Sequence, residues 1–92
     1  MHFVVRWPDG TRVTCYSPSL VIGDHLAPAT SYPLPEFLAR VRVALRIASE
    51  RVEAKYGTPC VRAIDQLASI ESTGAMFAGY VEPTVTVESF AQ

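Results

Sequence analysis

Residues 31–57 read SYPLPEFLARVRVALRIASERVEAKYG, and this stretch decides how the rest of the chain folds. Leu34, Phe37, Leu38, Val41, Leu45, Ala48, Val52 and Tyr56 recur mostly at steps of three and four. That spacing lines them up on one side of a helix with about 3.6 residues per turn. Ser31, Pro33 and Pro35 signal its start, and Gly57 with Pro59 behind it signals its stop. At about 1.5 Å per residue the helix is roughly 30 Å long, the diameter of a small domain. The same helix carries a second apolar strip, Ala39, Val43, Ile47 and Ala54. One strip can face a sheet, which leaves the other for a second helix or a twin subunit; the second strip is the candidate interface.

Upstream, His2–Trp7 is a β-rich run in which Phe3, Val5 and Trp7 alternate with His2, Val4 and Arg6. Pro8-Asp9-Gly10 supplies turn chemistry: a preset φ, a side chain that bonds local backbone, and tolerance of positive φ. Thr11–Tyr16 alternates again, with Val13 and Cys15 on one face and Arg12, Thr14 and Tyr16 on the other. These runs make a hairpin, with Thr14 and Arg12 set against Val4 or Arg6. Ser17 then fits a helix N-cap and Pro18 a first helical position, so residues 18–23 are expected to form a short helical turn, or else an extended edge segment. Residues 24–35 are rich in proline without a period and read as an ordered loop.

Downstream, Thr58-Pro59 repeats the cap-then-proline signal, and a second helix is expected from Pro59 to Gly74, antiparallel to the first. Met76, Phe77 and Tyr80 would pack back on the core. In residues 83–90, PTVTVESF, Val85, Val87 and Ser89 alternate with Thr84, Thr86 and Glu88 and form a third strand. The order gives a single α+β domain over residues 1–92: a two-layer sandwich with a three-stranded antiparallel sheet and two antiparallel helices on one face.

In 92 residues, 49% are hydrophobic, and the mean hydropathy is +0.18. So small a body cannot hide that much apolar surface, and self-association as a homodimer is expected to cover the excess. Eight basic and nine acidic residues give a net charge of −1, which disfavours nucleic acid as a partner. Arg40, Arg42, Arg46 and Arg51 interleave with Glu36, Glu50 and Glu53 on the long helix, the pattern of a solvated ion-pair surface. No apolar run approaches the roughly 20 residues that span a bilayer. The first ten residues read as strand and turn rather than leader. A cytoplasmic protein with both thiols, Cys15 and Cys60, reduced is expected.

Chemistry has few places to go. Asp24-His25 is the one acid–imidazole neighbourhood, and with Cys15 it could make a Cys–His–Asp nucleophile system. A surface pair and a core cysteine explain the same residues. A candidate small-molecule pocket therefore takes in Cys15, Tyr16, Ser17, Asp24, His25 and Tyr32, at the end of the second strand and the following loop. Arg6, Trp7 and Tyr16 could also form a stacked polar–aromatic patch, although ordinary cross-strand packing accounts for them. The His and Cys residues lack metal-ligand spacing and no glycine-rich phosphate loop occurs, so neither a metal nor another cofactor is expected.

RWPDG (6–10), CYSPSLVI (15–22), SYPL (31–34), ALRIASERVEAKYG (44–57), AIDQLASIE (63–71) and TVTVESF (84–90) resemble, in order, a small bacterial nitrogen-starvation response family of mycobacterial naming. The resemblance covers nearly the whole chain. It implies genes encoded beside a nitrilase, a radical-SAM protein, an acetyltransferase and a flavin-dependent oxidoreductase, clusters associated with nitrile or cyanide assimilation. It transfers no catalytic residue. It implies a setting and not a reaction. The apolar excess, the second strip on the long helix and the lack of a strong catalytic constellation point to a non-enzymatic accessory protein that binds a partner enzyme or a pathway intermediate. A small enzyme or small-molecule-binding protein is the alternative.

Overall fold

Two strands open the computed structural model, which describes residues 1–91. His2–Arg6 (β1) and Arg12–Tyr16 (β2) pair antiparallel with Val4 opposite Thr14 and Arg6 opposite Arg12, the hairpin that the turn chemistry predicts. Asp9 Oδ1 accepts the Thr11 N–H at 2.9 Å, and Gly10 takes a φ of 89°. The same hydrogen bond holds the Asp9 carboxyl below its usual range.

The sheet has four strands where the sequence reading gives three, and there are three helices where it gives two. The unexpected strand is Thr30–Pro33 (β3), inside the proline-rich segment expected to be a loop. Tyr32 is extended because Pro33 follows it. Pro33 is tolerated because β3 lies at the sheet's edge, where a missing N–H breaks no ladder. The short first helix is Ile22–His25 (α1), later in the chain than residues 18–23. Ser17 does not cap it: Val21 holds the N-cap position, and the Ser17 hydroxyl donates to Ser19 O at 2.7 Å.

The long helix is Leu34–Tyr56 (α2), closed by Gly57 at φ 84° in the left-handed cap position. Pro33 stands at its N-cap. Val61–Ala75 (α3) starts two residues later than expected, with Cys60 as an extended N-cap. It runs antiparallel to α2: Arg42 Nε meets Glu71 Oε1 at 2.7 Å, and a Cβ at Gly74 would come within 3.0 Å of Leu38. Gly74 thus lets the two helices close at this end.

Thr84–Ala91 (β4) completes the sheet in the order β2-β1-β4-β3, every neighbour antiparallel. The expected alternation along this strand fails near its end. Val5 pairs with Val87 and Val4 with Ser89, so Glu88 is an extra residue in a β-bulge. The bulge turns Phe90, not Ser89, toward the core, where its ring lies edge-on to Phe3 at 6.5 Å. Glu88 falls on the open face and pairs with Arg12 at 2.9 Å and Arg6 at 3.9 Å.

One face of the sheet supplies buried Phe3, Val5, Cys15, Tyr32, Val85 and Val87. Leu34, Phe37, Val41, Ala44, Leu45 and Ala48 of α2 pack against them, joined by Ile70 of α3 and Ile22 of α1. The other face keeps its charges in water. No helix among the described residues is long and apolar enough to cross a membrane.

Candidate functional site

The residues proposed for a pocket do not share one environment. Cys15, on the inner face of β2, is buried, and desolvation pushes its thiol up to about 12. Nucleophilic and metal-binding cysteines act as thiolates, so Cys15 stays an inert core group at neutral pH. Ser17 is fully buried, and its hydroxyl is occupied locally, donating to Ser19 O and accepting the Ser19 N–H at 3.3 Å.

Asp24 is exposed and His25 is half-buried at the end of α1. The hydrogen bond received by His25 is on its backbone oxygen, from Arg40 Nη1 at 3.0 Å. Arg40 also stacks over the Tyr32 ring at 5.1 Å and pairs with Glu36. Tyr32 is buried in the core, and its hydroxyl accepts the Ala27 N–H at 2.8 Å. Tyr32 and Arg40 therefore fasten the segment between α1 and β3.

Tyr16 lies elsewhere. It points from the outer face of β2 around the sheet's edge, with the Arg62 guanidinium 3.9 Å above its ring and His2 beside it at 5.5 Å. Gln66 Oε1 accepts the Tyr16 N–H at 3.0 Å, capping one backbone group of this edge strand. Nor do Arg6, Trp7 and Tyr16 form a patch. Trp7 is buried and stacks on Phe77 at 5.8 Å, while Arg6 reaches Glu88. Among the described residues, no three His, Cys, Asp or Glu side chains gather as a metal-binding group.

Cys15 yields a pH prediction. A free thiol ionises near pH 9.0 and the buried one only near 12, so between those values the folded chain holds more protons than the unfolded one. Stability falls as pH rises through that window, by up to about 1.4 kcal/mol per pH unit. Urea denaturation at pH 8 and pH 10 should show a steeper loss for the native chain than for Cys15→Ala. Equal slopes would mean that water reaches the thiol.

A further concavity lies away from all these residues, between the start of α2 and the end of α3. It is a trough of about 440 Å³ walled by Leu34, Leu38, Ala75, Ala78 and Pro83, with Arg42 and Glu71 along one side. A second trough of about 520 Å³ adjoins it at Pro35 and Pro83. Sequence reasoning missed this place, although two signals were present. Arg42 and Glu71 carry opposite charges on two helices expected to run antiparallel, and Gly74, Ala75 and Ala78 are small residues clustered where α3 ends.

The strip Ala39, Val43, Ile47 and Ala54 lies on α2 away from the sheet. Ala39, Val43 and Ala54 are exposed and Ile47 is half-buried. On α3, Val61, Ile64 and Ala68 are exposed as well. The helix layer thus carries apolar side chains on its solvent side.

No curated protein and no solved structure matches the chain. A family described as nitrogen starvation-induced protein NitG matches residues 2–90. That match runs through every strand and helix described above, and the chain belongs to the NitG family of nitrogen starvation-induced proteins.

Proposed function

We propose that this protein is a non-catalytic, partner-binding component of the nitrogen-limitation response, acting in the cytoplasm as a homodimer. Its further partner is an enzyme encoded in the same nitrile- or cyanide-assimilation gene cluster. The observation that supports this reading is the apolar surface of the helix layer. Val43 is 45% exposed and Ile64 50% exposed on neighbouring helices, and Ala39, Ala54 and Val61 of the same two helices are also open. Apolar side chains held open on the solvent side of a helix layer are candidates for burial against a partner. The alternative, a small enzyme or binding protein with a pocket at Cys15, Ser17 and His25, has less support. The Cys15 thiol is buried, and the Ser17 hydroxyl already serves Ser19.

Light scattering at tens of micromolar is expected to give twice the chain mass. Val43→Glu should halve it while the thermal transition stays cooperative, because a charge at this exposed position costs mainly the interface. Ile47→Glu, at a half-buried position, should halve it and also loosen helix packing. A native chain that runs as a monomer removes the dimer. Deleting this gene alone should impair growth on a nitrile as sole nitrogen source, and unimpaired growth separates the protein from that pathway.

A further inference from the structure

The trough between α2 and α3 combines an apolar floor with a single polar wall, and the chemistry of that wall is specific. Arg42 Nε donates to Glu71 Oε1 at 2.7 Å. This contact uses one of five guanidinium N–H donors and one of two carboxylate oxygens. Among the described residues, the terminal nitrogens of Arg42 and the second oxygen of Glu71 make no other hydrogen bond. The two side chains are 44% and 42% exposed, so these groups remain open to an incoming molecule.

The pair sums to zero charge, and that selects the ligand. A carboxylate attracted by Arg42 is repelled by Glu71, and an ammonium meets the reverse. A neutral head with an acceptor and an N–H donor side by side can satisfy both residues at once. Carboxamides, ureas and lactams have this arrangement. The body of such a molecule would rest on Leu34, Leu38, Ala75, Ala78 and Pro83. A volume of about 440 Å³ is in the range of small-molecule sites.

We propose that this trough binds a small neutral molecule with an apolar body and a carboxamide-type head. The carbonyl accepts from a terminal N–H of Arg42, and the amide N–H donates to Glu71. The site lies on the α2–α3 end of the molecule and does not depend on the dimer reading, since it uses none of Ala39, Val43, Ile47 or Ala54.

The test is an amide-resolved NMR titration of the full chain with benzamide, benzoate, benzylamine and toluene as probes. Benzamide is expected to shift the backbone signals of Gly74, Ala75 and Ala78 saturably, and to bind at least about fivefold tighter than the other three, the effect of one net hydrogen bond. Ala78→Leu, at an exposed position, should block the trough. Arg42→Met should remove the preference for benzamide over toluene. Equal binding of all four probes overturns the role of the ion pair. Saturation that maps elsewhere, or none at millimolar benzamide, overturns the site. Light scattering on the same samples reads the dimer separately, so failure of one reading is not mistaken for failure of the other.

Discussion

Phe37→Ala is expected to destabilise the fold by about 3–5 kcal/mol, most of what a domain of this size has to lose. Phe37 is fully buried on the sheet-facing side of α2. Its ring meets Trp7 edge-on at 5.7 Å; Trp7 stacks on Phe77 at 5.8 Å, and Phe77 meets Tyr80 at 5.0 Å. This run of aromatic contacts ties the long helix to the end of β1 and to the segment that follows α3. Trp7 Nε1 has no hydrogen-bond partner among the described residues, so ring packing alone holds the indole. Removing Phe37 leaves a cavity on the indole's flank as well as losing the phenyl burial. Tyr56→Ala is the control. Tyr56 belongs to the same periodic stripe but is 69% exposed near the end of α2, and its removal should change stability by no more than about 0.5 kcal/mol. Urea denaturation of the three chains decides the matter. Equal losses for both variants would mean that the stripe is buried along its whole length.

The contrast between Phe37 and Tyr56 also marks how far the sequence could be read. Periodicity reports which residues share a side of a helix, but not how far the partner surface extends. The stripe is buried from Leu34 to Ala48, apart from half-covered Leu38, and then runs out of sheet, so Val52 is half-covered and Tyr56 is open. The hairpin was legible because its turn chemistry and its alternation are local. Phe90 was not, because a bulge at Glu88 shifts the register by one residue, and only the pairing partner on β1 reveals it. β3 was missed for a related reason. Four residues with a proline carry no period of their own, and the strand exists because β4 offers it a ladder. In the candidate pocket, Cys15, Tyr16 and Ser17 are consecutive in sequence yet face the core, the sheet edge and the chain's own next turn. Adjacency in sequence groups three side chains that the fold sends in three directions. The trough at Arg42 and Glu71 required knowing that α2 and α3 lie side by side with those two residues level.

Tyr32→Ala is expected to cost about 3–5 kcal/mol and Tyr32→Phe about 1 kcal/mol, and the difference separates two jobs of one side chain. The ring is core: it lies on the inner face of β3, opposite Val85, and Arg40 covers it at 5.1 Å. Truncation therefore opens a cavity under the edge strand and frees the guanidinium that holds His25 O. The hydroxyl is a fastener, accepting the Ala27 N–H at 2.8 Å across a turn in which Ala29 takes a φ of 55°. Ala27 is exposed, so water can replace the lost acceptor, which keeps the cost of Tyr32→Phe at the low end for a broken hydrogen bond. Hydrogen exchange gives a second readout. In Tyr32→Phe the Ala27 amide should lose its protection while the amides of the β1–β4 ladder keep theirs, because only the turn loosens. In Tyr32→Ala protection should also fall along β3 and at the start of α2, where Leu34 N donates to Pro83 O at 2.9 Å. If Tyr32→Phe cost as much as Tyr32→Ala, the edge strand would be held by that single hydroxyl. If Tyr32→Ala left β3 protected, the strand's hold would lie in its ladder with β4 and not in the aromatic ring beneath it.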